Sequence, residues 1–136
     1  MFIQVSLEEV RTNFQSFYLL DDQVHFCKGY FVDSLPRCDV SEIAVLRMDG
    51  DMYESTMDQL FNLYAKVSVG GVIIVDDYRI PPCNRAIHDF RNWHNITETI
   101  IDVPDDPSGV YWIKKTIVRI QMDRYLPLLN STKSNQ

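Results

Sequence analysis

The chain has 136 residues, 46% of them hydrophobic, and a net charge of −6. That describes one globular domain with a real core, small for a complete α/β enzyme, and excludes a disordered chain. The acidic balance, without any Lys/Arg run, argues against nucleic acid or an anionic membrane as partner, and no apolar stretch approaches the ~18 residues that span a bilayer.

Met1 to Val5 lacks the basic and long apolar segments of a signal peptide. Cys27, Cys38 and Cys83 are odd in number and lack metal-type spacing, so they read as free thiols in a reducing, cytoplasmic compartment. Ser6-Leu7-Glu8-Glu9 opens a helix with a capping-box pattern, and Val10, Phe14, Phe17 and Tyr18 form its apolar face. Asp21-Asp22 breaks it. Val24 to Lys28 predicts a short strand ending at Gly29, and Phe31 to Asp39 a turn or short helix. Ile43 to Met48 predicts a second strand. Met52 to Val67 predicts a helix with Tyr53, Met57, Leu60 and Tyr64 on one face. Gly70-Gly71 leads into a third strand, Val72 to Val75, and Cys83 to Trp93 forms another helix with Ala86, Ile87 and Phe90 inward. Thr99 to Val103 and Val110 to Ile113 are two more strands around a Pro- and Asp-rich turn. Beyond Thr116 the pattern is ambiguous, and the polar residues from Asn130 to Gln136 predict disorder. Alternating helices and apolar strands predict an α/β fold with a doubly wound sheet.

Two acidic clusters close two of these strands. Asp49-Gly50-Asp51 follows Ile43 to Met48, and Asp76-Asp77-Tyr78 follows Val72 to Val75. Buried parallel strands deliver ligands at their carboxyl ends, and carboxylates converging there call for a cation, with Mg²⁺ the obvious one. Each cluster also has a plainer reading. Asp51 could be the N-cap of the following helix, and Asp76-Asp77 a solvated turn. Tyr53, Phe61, Tyr64, Phe90, Trp93 and Trp112 read as core. His25, His88 and His94 are dispersed and read as structural or surface groups, and Arg85 and Arg91 as surface ion pairs. A Gly-rich turn between a strand and a helix, the usual phosphate or carboxylate cradle, is absent: Gly70-Gly71 precedes a strand.

Three long segments carry a family resemblance: Leu46 to Thr56, Gly70 to Tyr78, and Cys83 to Arg91. With Val24 to Phe31, Ser34-Leu35-Pro36 and Gly109 to Lys115, they make the chain similar to the macrocin O-methyltransferases, sugar O-methyltransferases dependent on S-adenosylmethionine and Mg²⁺. The resemblance implies a Rossmann-like class I methyltransferase fold, a three-layer sandwich without counterparts of its first two strands, which hold most of the cofactor. It divides the chain into a partial methyltransferase domain over 1–116 and an extension over 117–136.

The resemblance also implies roles. Asp49, Asp76 and Asp77 match the metal ligands, with Asp49 also the proposed general base. Asp51 and Tyr78 would act from an outer position or touch substrate. Gly29, Tyr30 and Phe31 fall where related enzymes wrap the adenine. The implied acceptor is a sugar or similar diol. The exposed edge left by the missing strands predicts a homodimer or poor solubility. Two other readings stand beside this one. Asp49-Gly50-Asp51 matches the weak Asp-x-Asp motif of metal-dependent glycosyltransferases, and the missing half would suit an inactive remnant serving as an interaction module.

Overall fold

The computed structural model of the chain describes residues 5–133, with the side chains of 5–130. Helix α1 (Leu7–Ser16) opens as expected: Ser6 Oγ accepts the Glu9 N–H at 3.1 Å, and the Glu9 carboxylate accepts the Ser6 N–H at 2.8 Å. Val10 and Phe14 are half-buried, and Phe14 meets Phe26 edge-on at 5.7 Å, but α1 buries no residue fully and leaves Phe17 and Tyr18 open. Val24 to Lys28 is not a strand. Its alternation is right, yet no neighbouring strand takes its N–H and C=O groups, and a strand exists only by pairing.

That segment is tied down covalently. Helix α2 (Phe31–Ser34) and a 3₁₀ turn over Leu35–Arg37 fold the chain back, so that Cys38 meets Cys27 with a Cα separation of 6.1 Å. The two form a disulfide, correcting the expectation of three free thiols and removing the cysteine argument for a reducing compartment. Among the described residues Cys83 is the free cysteine, and it is buried.

The remaining elements are β1 (Ile43–Met48), α3 (Tyr53–Leu63) running into a 3₁₀ turn over Tyr64–Lys66, β2 (Val67–Val75), α4 (Pro81–Trp93), β3 (Ile101–Asp102), β4 (Val110–Ile113) and α5 (Met122–Lys133). The sheet order is β1-β2-β4-β3. β1 and β2 are parallel, as a crossover through α3 requires; β4 runs antiparallel to both of its neighbours. α3 ends sooner than its apolar period suggests because Val67 is drawn into β2 opposite Ile43. Gly70 and Gly71 lie inside that strand rather than before it. Between Val67 and Val72 the strand advances five residues while β1 advances two, from Ile43 to Val45. This irregularity needs glycine twice: Gly70 has φ +90°, and a Cβ on Gly71 would sit 2.9 Å from the carbonyl oxygens of Ala44 and Ser68.

The described residues form the sheet and a helical layer over one of its faces. Leu46, Ile73 and Trp112 lie side by side in register, as do Met48, Val75 and Val110, and all six are buried with Met57, Leu60, Tyr64, Ile87 and Phe90. Lys114 is buried too, and its ammonium donates to the carbonyls of Tyr64 at 3.0 Å, Ala65 at 3.4 Å and Val67 at 2.6 Å. It gathers the carbonyls of the 3₁₀ turn and of the first residue of β2, where helix gives way to strand. Arg91, expected on the surface, is buried; its guanidinium donates to the Glu98 carbonyl and lies 4.8 Å from the Trp112 ring centroid. The long stem and flat head let it pack as part of the core. His94 is buried and bridges elements, with Nδ1 2.8 Å from the Phe90 carbonyl and Nε2 accepting the Gln121 N–H at 2.9 Å.

α5 packs back on α3. The Tyr125 ring stacks on Phe61 at 4.7 Å and its hydroxyl donates to Asp58 at 2.5 Å. That anchor carries the helix through Asn130 to Lys133, where polar composition predicts disorder; residues 134–136 lie outside the described part. No helix among the described residues is long and apolar enough to cross a membrane.

Candidate functional site

The parallel ladder ends with Met48 beside Val75, and the Asp76 N–H donates to the Met48 carbonyl at 3.0 Å. Asp49 and Asp76-Asp77 therefore leave adjacent strand ends. After Asp49 the chain makes a tight turn in which the Gly50 carbonyl accepts the Met52 N–H. Asp51 sits in that turn at φ +52°, a conformation that Asp tolerates better than most residues. The N-cap of α3 is Met52, without a side-chain capping bond, so Asp51 is not the cap. Gln59, buried on α3, lies beneath the turn, where a Cβ on Gly50 would collide with its Nε2.

One oxygen each from Asp49, Asp51 and Asp77 lies within 4.8 Å of the others. Asp77 Oδ2 is buried and has no hydrogen-bond partner. Burial, then sharing of a proton with Asp49 and Asp51, then their repulsion, push the Asp77 carboxyl up to about 6. Three carboxylates this close, one of them with a buried oxygen that lacks a partner, fit a hard divalent cation such as Mg²⁺, which takes oxygen ligands at ~2.0–2.1 Å.

The expected ligand set was Asp49, Asp76 and Asp77. The structure brings Asp49 and Asp77 together but joins them with Asp51, expected farther out. Asp76 is held by the Arg47 guanidinium, which also lies 3.7 Å from the Asp49 carboxylate. Tyr78 is buried, and its hydroxyl pairs with His88 Nε2 on α4 at 2.9 Å.

Gly29, Tyr30 and Phe31 line a cleft of about 330 Å³ with Val32, Asp33, Glu54, Ser55 and Asp58. Gly29 needs its freedom here, at φ +138° with Ser34 Cβ 3.3 Å from where a Cβ would stand. The far wall is the first turns of α3, which follow Asp51 directly, so the cleft and the carboxylates share one end of the domain. Sequence reasoning did not select Arg47, Gln59, Asp33, Glu54 or Asp58. Glu54 and Asp58 carried a signal, being four residues apart on one helical face. Burial raises the Asp58 carboxyl although the Tyr125 hydroxyl donates to it.

Residues 1–114 match the macrocin-O-methyltransferase (TylF) family. Over 111 residues the chain is 53% identical to demethyldecarbamoylnovobiocin O-methyltransferase of Streptomyces niveus, covering 81% of this chain and 42% of that protein. It is 46% identical over 110 residues to mycinamicin III 3''-O-methyltransferase of Micromonospora griseorubida, covering 81% and 42%. Among solved structures, the O-methyltransferase NovP superposes with a TM-score of 0.79 at 52% identity, covering 82% of this chain and 46% of that one. CalS11, a TDP-rhamnose 3'-O-methyltransferase, shares the fold at 21% identity with a TM-score of 0.53, over 63% of this chain and 40% of its own. The chain thus spans less than half the length of these relatives. All of them are methyltransferases, which leaves the nucleotide-sugar reading of Asp49-Gly50-Asp51 without support.

Proposed function

Given that the chain belongs to the macrocin-O-methyltransferase (TylF) family and has a Rossmann-like class I methyltransferase fold, we propose that it forms the metal- and acceptor-binding part of an O-methyltransferase. The donor is S-adenosylmethionine, the metal Mg²⁺, and the acceptor a hydroxyl of a sugar or similar diol. The observation that carries this is the trio Asp49, Asp51 and Asp77 at the ends of two parallel strands, with one Asp77 oxygen buried and unpartnered.

When bound, Mg²⁺ supplies a positive charge that lowers the pKa of an acceptor hydroxyl, and the sulfonium donor supplies the methyl group. Asp49, Asp51 and Asp77 would hold the ion. Asp49, more exposed than Asp77, accepts the acceptor's proton as the methyl group is attacked. The leaving thioether needs no acid, so what remains is alignment. Gly29 brings the backbone close to the cleft, and Tyr30 and Phe31 offer ring faces for adenine. Tyr78, next in the chain to Asp77, is anchored to α4 through His88. The same reading makes the protein a cytoplasmic enzyme of small-molecule glycosides, and a homodimer through the open β1 edge, which a monodisperse monomer in light scattering would overturn.

Calorimetric titration of the chain with Mg²⁺ and with S-adenosylmethionine tests the proposal. Mg²⁺ binding that Asp77→Asn abolishes is the expected result, with donor binding strengthened by the ion. Absence of Mg²⁺ binding would refute the metal assignment.

A further inference from the structure

Among the described residues, Arg47 is the one cation placed among these carboxylates. It sits on β1 two residues before Asp49, and its guanidinium spans the gap between the two strand ends, ion-paired to Asp76 and 3.7 Å from Asp49. Asp49 therefore serves two groups, the guanidinium on one side and the trio with Asp51 and Asp77 on the other. Asp76 belongs to the first group alone. The Arg47 side chain is 59% exposed and Asp76 25%, so the guanidinium can swing into water while the carboxylate stays.

We infer that Arg47 is an internal counter-cation that holds Asp76 in the ion-free protein and is displaced when a divalent cation binds, an inference resting on the metal reading above. Four carboxylates crowd this edge. Without a cation their mutual repulsion would spread the two loops, and one guanidinium shared by Asp76 and Asp49 offsets part of it. A divalent ion seated between Asp49 and Asp77 brings two positive charges beside the guanidinium. Arg47 then moves outward and Asp76 turns to the ion. Two carboxylate sets follow, Asp49-Asp51-Asp77 before binding and one that includes Asp76 after it. Arg47 is a positioning residue, with no contact to substrate required.

The test is Mg²⁺ titration of the whole chain by calorimetry, on the parent, Arg47→Met, Asp76→Asn and the double variant. Losing a neighbouring positive charge should tighten Mg²⁺ binding by about tenfold in Arg47→Met. Asp76→Asn should then weaken binding more in the Arg47→Met background than in the parent, where part of its effect is hidden by the ion pair it also removes. Arg47→Gln repeats the measurement if Arg47→Met melts abnormally. Unchanged or weaker Mg²⁺ binding in Arg47→Met, with Asp77→Asn still abolishing it in the parent, overturns the counter-cation and leaves the metal site standing. No Mg²⁺ binding in any variant overturns both.

Discussion

The two faces of the sheet carry similar residues and meet different fates. On one face Leu46, Ile73 and Trp112, with Met48, Val75 and Val110, are at most 6% exposed. On the other, Val45, Val72 and Ile113 pair in the same register, yet Val45 is 57% and Ile113 43% exposed. Ile101 continues that open face beside Tyr111. Strands apolar on both sides suit a sheet covered twice, and the described residues cover it once. Strand composition thus reports the environment the strands suit, and burial reports the one they have.

That contrast can be broken by mutation, most sharply at Trp112 and Ile113, neighbours in one strand. Trp112→Ala should cost about 3–5 kcal/mol in urea unfolding, enough to threaten folding, and Ile113→Ala no more than about 0.5 kcal/mol. Equal losses would mean that the open face is covered in solution. Lys114→Met, which removes the donor to three carbonyls on the covered side, should cost about 2–3 kcal/mol by the same measurement. Gly71→Ala forces a methyl against two backbone oxygens and should cost about 1–3 kcal/mol while leaving the helical layer intact by circular dichroism.

His94 gives the covered face a pH signature. Burial holds its imidazole below the ordinary value of 6.5, so the unfolded chain takes up the proton first. Its contribution is complete above pH 6.5 and is lost as pH falls through the folded-state value. A melting temperature that drops through this window in the parent, and less so in His94→Gln, is the expected result. The smallest effect is Ile113→Lys, which should leave the melting temperature within a few degrees and reduce self-association seen by light scattering.

Much of the covered face was legible beforehand. β1, α4 and β4 lie close to where apolar runs and the helical period put them, because burial pattern and element type agree there; β2 ends where expected but starts five residues earlier, at Val67. Val24 to Lys28 misled because a strand needs a partner that local sequence cannot display. The disulfide was hidden for a similar reason: a spacing of 11 residues says nothing of the α2 reversal that brings Cys27 to Cys38. At the carboxyl edge, Asp49 and Asp77 could be read as a pair from their strand ends. The division of the other carboxylates could not, since Asp51 depends on a left-handed turn and Asp76 on an arginine from the neighbouring strand β1.

The pairing of Met48 with Val75 makes the glycine pair a ruler for the chemistry. Asp49 and Asp77 meet because β1 and β2 are in one register, and that register is set where β2 takes up its extra residues around Gly70 and Gly71. A slip of one residue would displace the aspartates by ~3.3 Å and turn alternate side chains to the wrong face. The distance between the carboxylates is therefore decided about five residues upstream, some ~17 Å away, by two positions that carry no side chain at all.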